Sequence, residues 1–309
     1  MRLVRSLLRA PSAALYWLGV GQTRAMREGR DTIFLCHGTP QRSAAQLERQ
    51  LRYLRRVFSL VPLAELAAST GAPRAPTQRR RATIVFDDGL RSNVLVAYPI
   101  LRALGIPATF FVCPGLIEER RWLWTHEARR RLQFAGPQVR LELARELGAS
   151  AEVEEFVQWM KRLDFPRRTR VEEMLRHATA AFAASPADRE EFDLAGWDEL
   201  RLLDPSIVTV GSHSMTHPIL PSMTAGEIEA ELGPSRRMIE AKLGRPVEFF
   251  SYPNGDFDER TLAAVRRHYR AAVIASSITR LDRHLMPNRH LRRGTLSLAW
   301  QLNHPPAAH

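Results

Sequence analysis

The chain has few of the residues that mark several specialised classes of protein. It contains two cysteines, Cys36 and Cys113, in 309 residues, and they do not form a Cys-x-x-Cys pair. This excludes a disulfide-rich scaffold, and we expect two free buried thiols. No uncharged stretch reaches the roughly 18 residues of a membrane-spanning helix. With 45% hydrophobic and 25% charged residues, the composition is that of an ordinary globular protein.

Lysine is almost absent, although the chain is strongly basic. Lys161 and Lys242 are the only lysines, so arginine accounts for nearly all of the 45 cationic residues and the net charge of +12. Basic charge favours association with nucleic acid or an anionic membrane. The arginines are spread along the whole chain, however, and preference for one cation is also typical of genomic codon bias. We therefore predict a solvated basic surface and no specific nucleic-acid partner.

The N-terminal segment has arginines ahead of a short apolar run. Pro11 interrupts this run, and no clear A-x-A cleavage site follows it. We predict a leader helix over residues 1–30, packed on the protein or lying on a membrane surface as an amphipathic helix. A cytoplasmic or membrane-peripheral location is favoured over secretion.

Short apolar runs alternate with helical patterns along the rest of the chain, which predicts a parallel sheet in an α/β fold. The expected strands are 32–36, 82–86, 108–113, 206–210, 247–252 and 271–275, with a seventh around 285–296. The pattern indicates a barrel or an open sheet over residues 31–300, followed by a tail at 301–309. Residues 118–195 have helical periodicity and no strand signal, so they predict an all-helical insertion in which Trp122, Trp124 and Trp159 pack.

Two adjacent carboxylates, Asp87 and Asp88, follow the apolar strand Ile84–Phe86. Burying them is costly unless they are paired or bind a cation. They would point to opposite faces of a regular strand, but a turn permitted by Gly89 could bring both to the mouth of a barrel. A turn whose aspartate caps the helix from Arg91 is the alternative interpretation.

Two further segments end predicted strands. In the first, His213 and His217 stand four residues apart, so on a helical turn both imidazoles would face one metal ion. Two histidines and one carboxylate form a typical zinc set with a position open for water. In the second, residues 249–257, a strand runs into a Pro-Asn-Gly turn. That turn could aim backbone N–H groups at a ligand, or could be only a turn.

These three segments together resemble the polysaccharide deacetylase family, the NodB-homology carbohydrate esterases of family four. The resemblance implies an irregular seven-stranded (β/α) barrel and a divalent metal, expected to be Zn²⁺. It implies Asp88, His213 and His217 as metal ligands and Asp87 as general base. The implied substrate is an N-acetylated amino-sugar polymer or oligomer.

The sequence departs from this family in two places. The family's R-x-P-Y motif would put arginine at Ser251 and tyrosine at Asn254, so Asp87 needs another partner. The arginines considered for that place are Arg289, Arg292 and Arg293. Substrate and oxyanion contacts are expected at Tyr252, Pro253 and Asn254, with the N–H of Asn254 as the oxyanion donor.

The family's L-x-H motif is missing near the C-terminus but occurs as Leu35-Cys36-His37 after the first strand. In this the chain is similar to exopolysaccharide deacetylases whose motif order is circularly permuted. His37 is then the expected general acid. Two alternatives remain: His37 is a core histidine, or His284 or His290 is the acid.

The expected activity is metal-dependent removal of N-acetyl groups. Three other functions remain open: an amidase or deformylase acting on another N-acyl substrate, an Fe(II) oxygenase, and a carbohydrate-binding homologue with impaired catalysis. Metal analysis combined with an acetate-release assay separates them.

Overall fold

The alternating strands form a parallel sheet in a computed structural model that describes residues 32–68, 79–274 and 285–290. Its strands are β1 Thr32–Cys36, β2 Ser59–Leu60, β3 Arg81–Phe86, β4 Ala108–Val112, β5 Val208–Ser212, β6 Phe249–Tyr252, β7 Ala271–Ile274 and β8 Leu285–His290. Apart from the two-residue β2, each lies in or next to a segment for which the apolar pattern predicts a strand.

The sheet closes on itself through β1. This strand pairs in parallel with β3 on one side and with β8 on the other, and β3 to β8 pair in chain order. Seven strands therefore form a ring, and β2 adds a short pairing to β3. The α/β fold with an irregular seven-stranded barrel is confirmed. The carboxyl ends of all seven strands meet at one mouth, where active sites of such barrels lie.

Helices connect the strands. They are α1 Ala44–Val57, α2 Leu63–Ala67, α3 Tyr98–Leu104, α4 Pro114–Glu119, α5 Trp124–Phe134, α6 Gly136–Leu147, α7 Val153–Met160, α8 Phe165–Ala178, α9 Pro186–Phe192, α10 Trp197–Arg201, α11 Ala225–Leu243 and α12 Glu259–His268. A π-helical stretch, Asn93–Ala97, precedes α3.

The strand pleat separates two apolar layers. In β3, Ile84 and Phe86 pack outward under the helices, whereas Val85 lies in the barrel interior. The interior layer combines side chains from several strands: Ile33, Leu35, Val85, Phe111, Phe249 and Val273. Because successive side chains alternate between faces, each strand contributes to both layers. The interior layer forms an apolar floor beneath the barrel mouth.

The segment between β4 and β5 is all-helical, as predicted, and its helices begin at Pro114 rather than near residue 118. Helices α5 to α8 share a core that is separate from the barrel layers: Trp124, Ala128, Leu132, Leu143, Phe156, Val157, Met160, Val171 and Leu175. Trp159 packs against this core, and Trp122 contacts the rings of Phe182 and Phe192. The expectation that these three tryptophans pack is confirmed.

Other expectations concern the ends of the chain. The leader helix at residues 1–30 and the tail at 301–309 lie outside the described residues, so membrane contact and location remain predictions. Among the described residues, no helix is both long and apolar enough to cross a membrane. Cys36 and Cys113 are buried and free, as expected.

Gly211 allows β5 to pass close to the barrel floor. A Cβ at this position would lie 2.5 Å from Cε1 of Phe111 and 3.0 Å from the carbonyl oxygen of Phe249. We predict that Gly211→Val lowers the free energy of unfolding by about 1–3 kcal/mol, because overpacking displaces the ring of Phe111. Chemical denaturation measures this change. Gly226→Ala is the control, since a Cβ there meets nothing within 4 Å; equal stability of the two variants would contradict the prediction.

Candidate active site

Four polar side chains extend the interior face of the barrel to its mouth. They stand two positions after inward-facing positions of β1, β3, β5 and β6: His37, Asp87, His213 and Ser251. Cys36 of β1 pairs with Phe86 of β3, so His37 and Asp87 follow at the same level of the two strands. The Asp87 N–H donates to the Cys36 carbonyl at 3.0 Å. Because every second side chain of a strand points to the barrel interior, polar groups from distant parts of the chain meet above the apolar floor.

A left-handed turn brings both aspartates into the site. Asp88 has φ 75° and Gly89 has φ 66°. Gly89 is also required sterically, since a Cβ there would lie 3.1 Å from Cα of Val112. Asp87 is 1% exposed and Asp88 is 4% exposed, so neither points to solvent. The predicted role of Gly89 is confirmed. In the alternative interpretation, an aspartate caps the helix that begins at Arg91. The Arg91 N–H donates instead to the Asp193 carbonyl.

His213 and His217 are not on a helical turn, and that expectation is wrong. His213 directly follows β5, and an irregular loop with left-handed residues at Ser214 (φ 66°) and His217 (φ 59°) leads to the second imidazole. The Ser214 hydroxyl accepts from the His217 N–H at 3.1 Å. This loop still brings the two rings together, with centroids 4.8 Å apart.

Buried Glu231 of α11 stabilises that loop. Its carboxylate accepts from the N–H of Thr216 at 2.8 Å and from the Thr216 hydroxyl at 2.6 Å. The Met215 carbonyl, in the same loop, accepts from the Gly115 N–H at 3.0 Å. These bonds hold the loop in place of the backbone hydrogen bonds that a helix would have. Sequence reasoning missed Glu231, because nothing near His213 in the chain points to a residue on the following helix.

The two imidazoles meet Asp88 in an arrangement that suits one metal ion. Asp88 Oδ1 lies 3.5 Å from Nε2 of His213 and 3.5 Å from Nε2 of His217. A tetrahedral cation with bonds of about 2.0–2.2 Å separates its ligand atoms by about 3.4 Å. Nδ1 of His213 lies 2.7 Å from the Ser251 carbonyl, to which it can donate, leaving Nε2 free to bind metal. The donor set fits a divalent cation.

The electrostatics of the site favour the metal-binding forms of two of these residues. Burial alone would raise the pKa of Asp88, but the neighbouring His213 and the charge of His37 hold it well below its usual range. Burial and the neighbouring His213 lower the pKa of His217 well below its usual value. An ionised carboxylate and a neutral imidazole are the protonation states that bind metal.

Asp87 lies beside this group in a different environment. Burial raises its pKa, and the charges of His213 and His37 only partly offset that effect. Its Oδ2 accepts from the Ser251 hydroxyl at 3.1 Å, whereas its buried Oδ1 has no partner among the described residues.

Ser251 is thus a hydrogen-bond partner of Asp87 among the described residues, and the expectation of an arginine partner stays a prediction. Ser251 occupies the position where the family's motif has arginine. Of the arginines considered, Arg292 and Arg293 lie outside the described residues, and Arg289 belongs to β8. Sequence reasoning missed Ser251, although its place two residues after inward-facing Phe249 is a signal that could have found it.

His37 lies exposed at the mouth beside the two carboxylates. It follows Cys36, whose strand partner Phe86 directly precedes the two aspartates, and a charge on its imidazole lowers the pKa of both. Its exposure argues against a core histidine. Of the alternative acids, His284 lies outside the described residues. The backbone of His290, the last residue of β8, pairs with Leu35.

Beyond the Ser251 side chain, the third motif contributes a turn. Tyr252 is fully buried among outer-layer aromatics, including Phe250, on the face of β6 opposite Ser251. Any contribution of Tyr252 to the site is therefore through its backbone. Pro253–Gly255 forms a single 3₁₀ turn, with Asn254 left-handed at φ 57°. The Asn254 side chain accepts from Lys161 Nζ at 2.6 Å and donates to Asp256 Oδ2 at 2.5 Å.

The helical insertion also reaches the mouth. The Trp124 indole N–H donates to the His217 carbonyl at 3.0 Å. His126, on the same helix, lies near Asp88: burial lowers its pKa, and the charge of Asp88 partly restores it. Sequence reasoning missed both contacts with the site, because helical periodicity does not tell where an insertion docks.

Comparison with known proteins agrees with this geometry. The sequence matches the model of the polysaccharide deacetylase family over residues 74–162 and 167–273, well over half of the chain. The chain belongs to this family. It is thus a hydrolase acting on carbon–nitrogen bonds other than peptide bonds. The matched span begins after β1 and His37.

Solved structures of the family share the fold. IcaB from Ammonifex degensii matches with TM-score 0.55 and 16% identity, covering 89% of this chain and 97% of that one. A de-N-acetylase from Aggregatibacter actinomycetemcomitans matches with TM-score 0.50 and 14% identity, covering 82% and 92%. The Streptococcus pyogenes deacetylase PplD, in complex with acetate, matches with TM-score 0.50 and 15% identity, covering 79% and 83%. A search of curated protein sequences found no match.

The donor geometry predicts the effect of removing one imidazole. We expect His213→Ala to lose stoichiometric metal, because Asp88 and His217 alone leave the cation two protein ligands. Metal analysis of the purified variant, with circular dichroism to verify folding, measures this. Full metal occupancy in a folded His213→Ala protein would contradict the assignment.

Proposed function

We propose that the chain is a metal-dependent deacetylase that removes N-acetyl groups from an amino-sugar polysaccharide or oligosaccharide. The observation that carries the proposal is the buried group of Asp88, His213 and His217, with the second carboxylate of Asp87 beside it. One carboxylate to hold a cation and another to move a proton suit amide hydrolysis better than they suit binding alone.

Asp88, His213 and His217 would hold the cation, which we take to be Zn²⁺ because one carboxylate and two imidazoles are a typical zinc set. When bound, the cation supplies Lewis-acid chemistry, lowering the pKa of water and polarising a carbonyl oxygen. The Ser251 carbonyl orients the His213 ring, so a strand of the barrel sets the orientation of this ligand.

Asp87 takes the proton of the attacking water. Burial raises its pKa, which makes the Asp87 carboxylate a stronger base than an exposed aspartate. The Ser251 hydroxyl holds one of its oxygens and leaves the other available to accept the proton. A neutral hydroxyl positions this carboxylate without the strong pKa depression that an arginine would cause.

The remaining groups complete the reaction. As the water oxygen adds to the acyl carbon, the Asn254 N–H donates to the developing oxyanion. The carbon–nitrogen bond then breaks, and His37 gives its proton to the leaving nitrogen, so acetate and a free amine result. Exposure of His37 at the mouth lets it reach a sugar that remains in a polymer.

The nature of the neighbours supports an N-acetyl substrate: one is described as a de-N-acetylase, and another binds acetate. Acetate release from N-acetylglucosamine oligomers and polymers, measured together with bound metal, tests the proposal. Acetate release that is lost with chelator and restored by Zn²⁺ is expected. Turnover of N-formyl substrates alone would favour a deformylase instead.

Asp87→Asn separates the base from the metal ligands. We expect it to retain metal and to lower kcat by roughly 10²–10⁴-fold, because an amide cannot accept the proton. Metal analysis and acetate-release kinetics on the same preparation measure both quantities. Loss of metal together with activity would mean that the two aspartates have other roles.

His37→Ala tests the general acid. We expect metal to be retained and the rate to fall strongly on N-acetyl sugars, because their amine leaves only with a proton. On an activated anilide, whose nitrogen is a better leaving group, the loss should be much smaller. An equal loss on both substrates would rule out the acid role.

A further inference from the structure

The helical insertion makes a hydrogen bond to each of two loops of the site. Trp124, in the first turn of α5, donates to the carbonyl of the metal-ligand residue His217. Lys161, just after α7, donates to the side chain of Asn254 in the β6 turn. The loops leave the barrel from different strands, β5 and β6, so the insertion spans both.

The donor at His217 is fixed by packing on several sides. Trp124 is 3% exposed and belongs to the insertion's own core. The guanidinium of buried Arg168 lies over its ring, 4.7 Å from the centroid. Ile219, two residues after His217, packs against the same core. Because the indole is held in this way, it fixes the position and orientation of the His217 carbonyl, whose residue has a left-handed backbone.

The donor at Asn254 is the first residue of a short polar chain. Lys161 Nζ lies 2.6 Å from Asn254 Oδ1, and Asn254 Nδ2 lies 2.5 Å from Asp256 Oδ2. Asn254 is itself left-handed at φ 57°. An amide side chain bound at both ends restricts the backbone of the turn, and so restricts the direction of the N–H.

We propose that the helical insertion is a positioning element for the site, with Trp124 orienting the metal ligand His217 and Lys161 orienting the turn at Asn254. Both residues act through another residue and neither touches the reacting atoms. The part concerning Asn254 rests on the function proposed above, whereas the part concerning His217 requires only that the site binds a metal ion.

Two tryptophans of one packing core form a matched pair for the first contact. Trp124→Phe keeps an aromatic ring and removes the N–H. Trp159→Phe alters the same core without a bond to either loop. Zn²⁺ affinity, measured by competition with a chelator, should fall about 10- to 100-fold in Trp124→Phe and stay unchanged in Trp159→Phe. The melting temperatures of the metal-free proteins show whether packing alone is affected.

The only two lysines of the chain form the second pair. Lys242 bonds Glu118 at 2.5 Å and lies over the ring of Trp197, without a contact to the β6 turn. Lys161→Met should leave Zn²⁺ affinity unchanged and lower kcat by about 10- to 100-fold with little change in KM. Lys161→Arg should restore most of the rate, and Lys242→Met should match the parent protein. Hydrogen exchange of the Asn254 amide should accelerate in Lys161→Met only.

The outcomes separate the proposals. Equal Zn²⁺ affinities of folded Trp124→Phe and Trp159→Phe, or unchanged amide exchange and kcat in Lys161→Met, would overturn the positioning role at that loop. A parent protein that binds Zn²⁺ but releases no acetate would overturn the proposed function. In that event the tryptophan pair and the exchange measurement would still decide the positioning role.

Discussion

Two neighbouring carboxylates, Asp87 and Asp88, are almost completely buried at the end of one strand, and the site is arranged around that constraint. A buried carboxylate is costly unless positive charge and hydrogen bonds compensate. His213 and His217 face Asp88, while His37 lies near both carboxylates and Ser251 bonds Asp87. Only strands whose carboxyl ends converge can supply these partners, so the closed parallel barrel is a requirement of the chemistry.

The same constraint gives the two carboxylates different properties. Asp88 lies 3.5 Å from an imidazole nitrogen of His213, and this neighbour together with the charge of His37 holds its pKa well below the usual range. Asp87 receives a neutral hydroxyl instead, and burial raises its pKa. The surroundings of these adjacent aspartates move their pKa values apart, which suits the separate roles of ligand and base that we propose for them. Serine in place of the family's arginine strengthens that difference.

Strained backbone is concentrated at the site. Of five non-glycine residues with positive φ in the described parts of the chain, four belong to the three motifs: Asp88, Ser214, His217 and Asn254. Such conformations cost about 1–3 kcal/mol each and persist only where surrounding contacts hold them. Glu231, Trp124 and Lys161 provide such contacts. The barrel therefore brings the functional groups together, and the helices around it hold the loops in place.

The sequence by itself determined the alternation of strands and helices, the helical insertion and the residue types of the proposed metal-ligand group, whereas the pattern alone left a barrel and an open sheet as alternatives. The short apolar runs of strands such as β3 and β4 are a signal that is readable locally, and one carboxylate with two imidazoles is a typical zinc set. Only the tertiary structure decided how those residues are held. The spacing of His213 and His217 suggested a helical turn, but Glu231 and Gly115 select a loop, and both are distant in the chain. The bond of Ser251 to Asp87, and the contacts of Trp124 and Lys161, depend on how strands pair and where the insertion packs. A local pattern carries no information about contacts between segments that meet only after the barrel has closed.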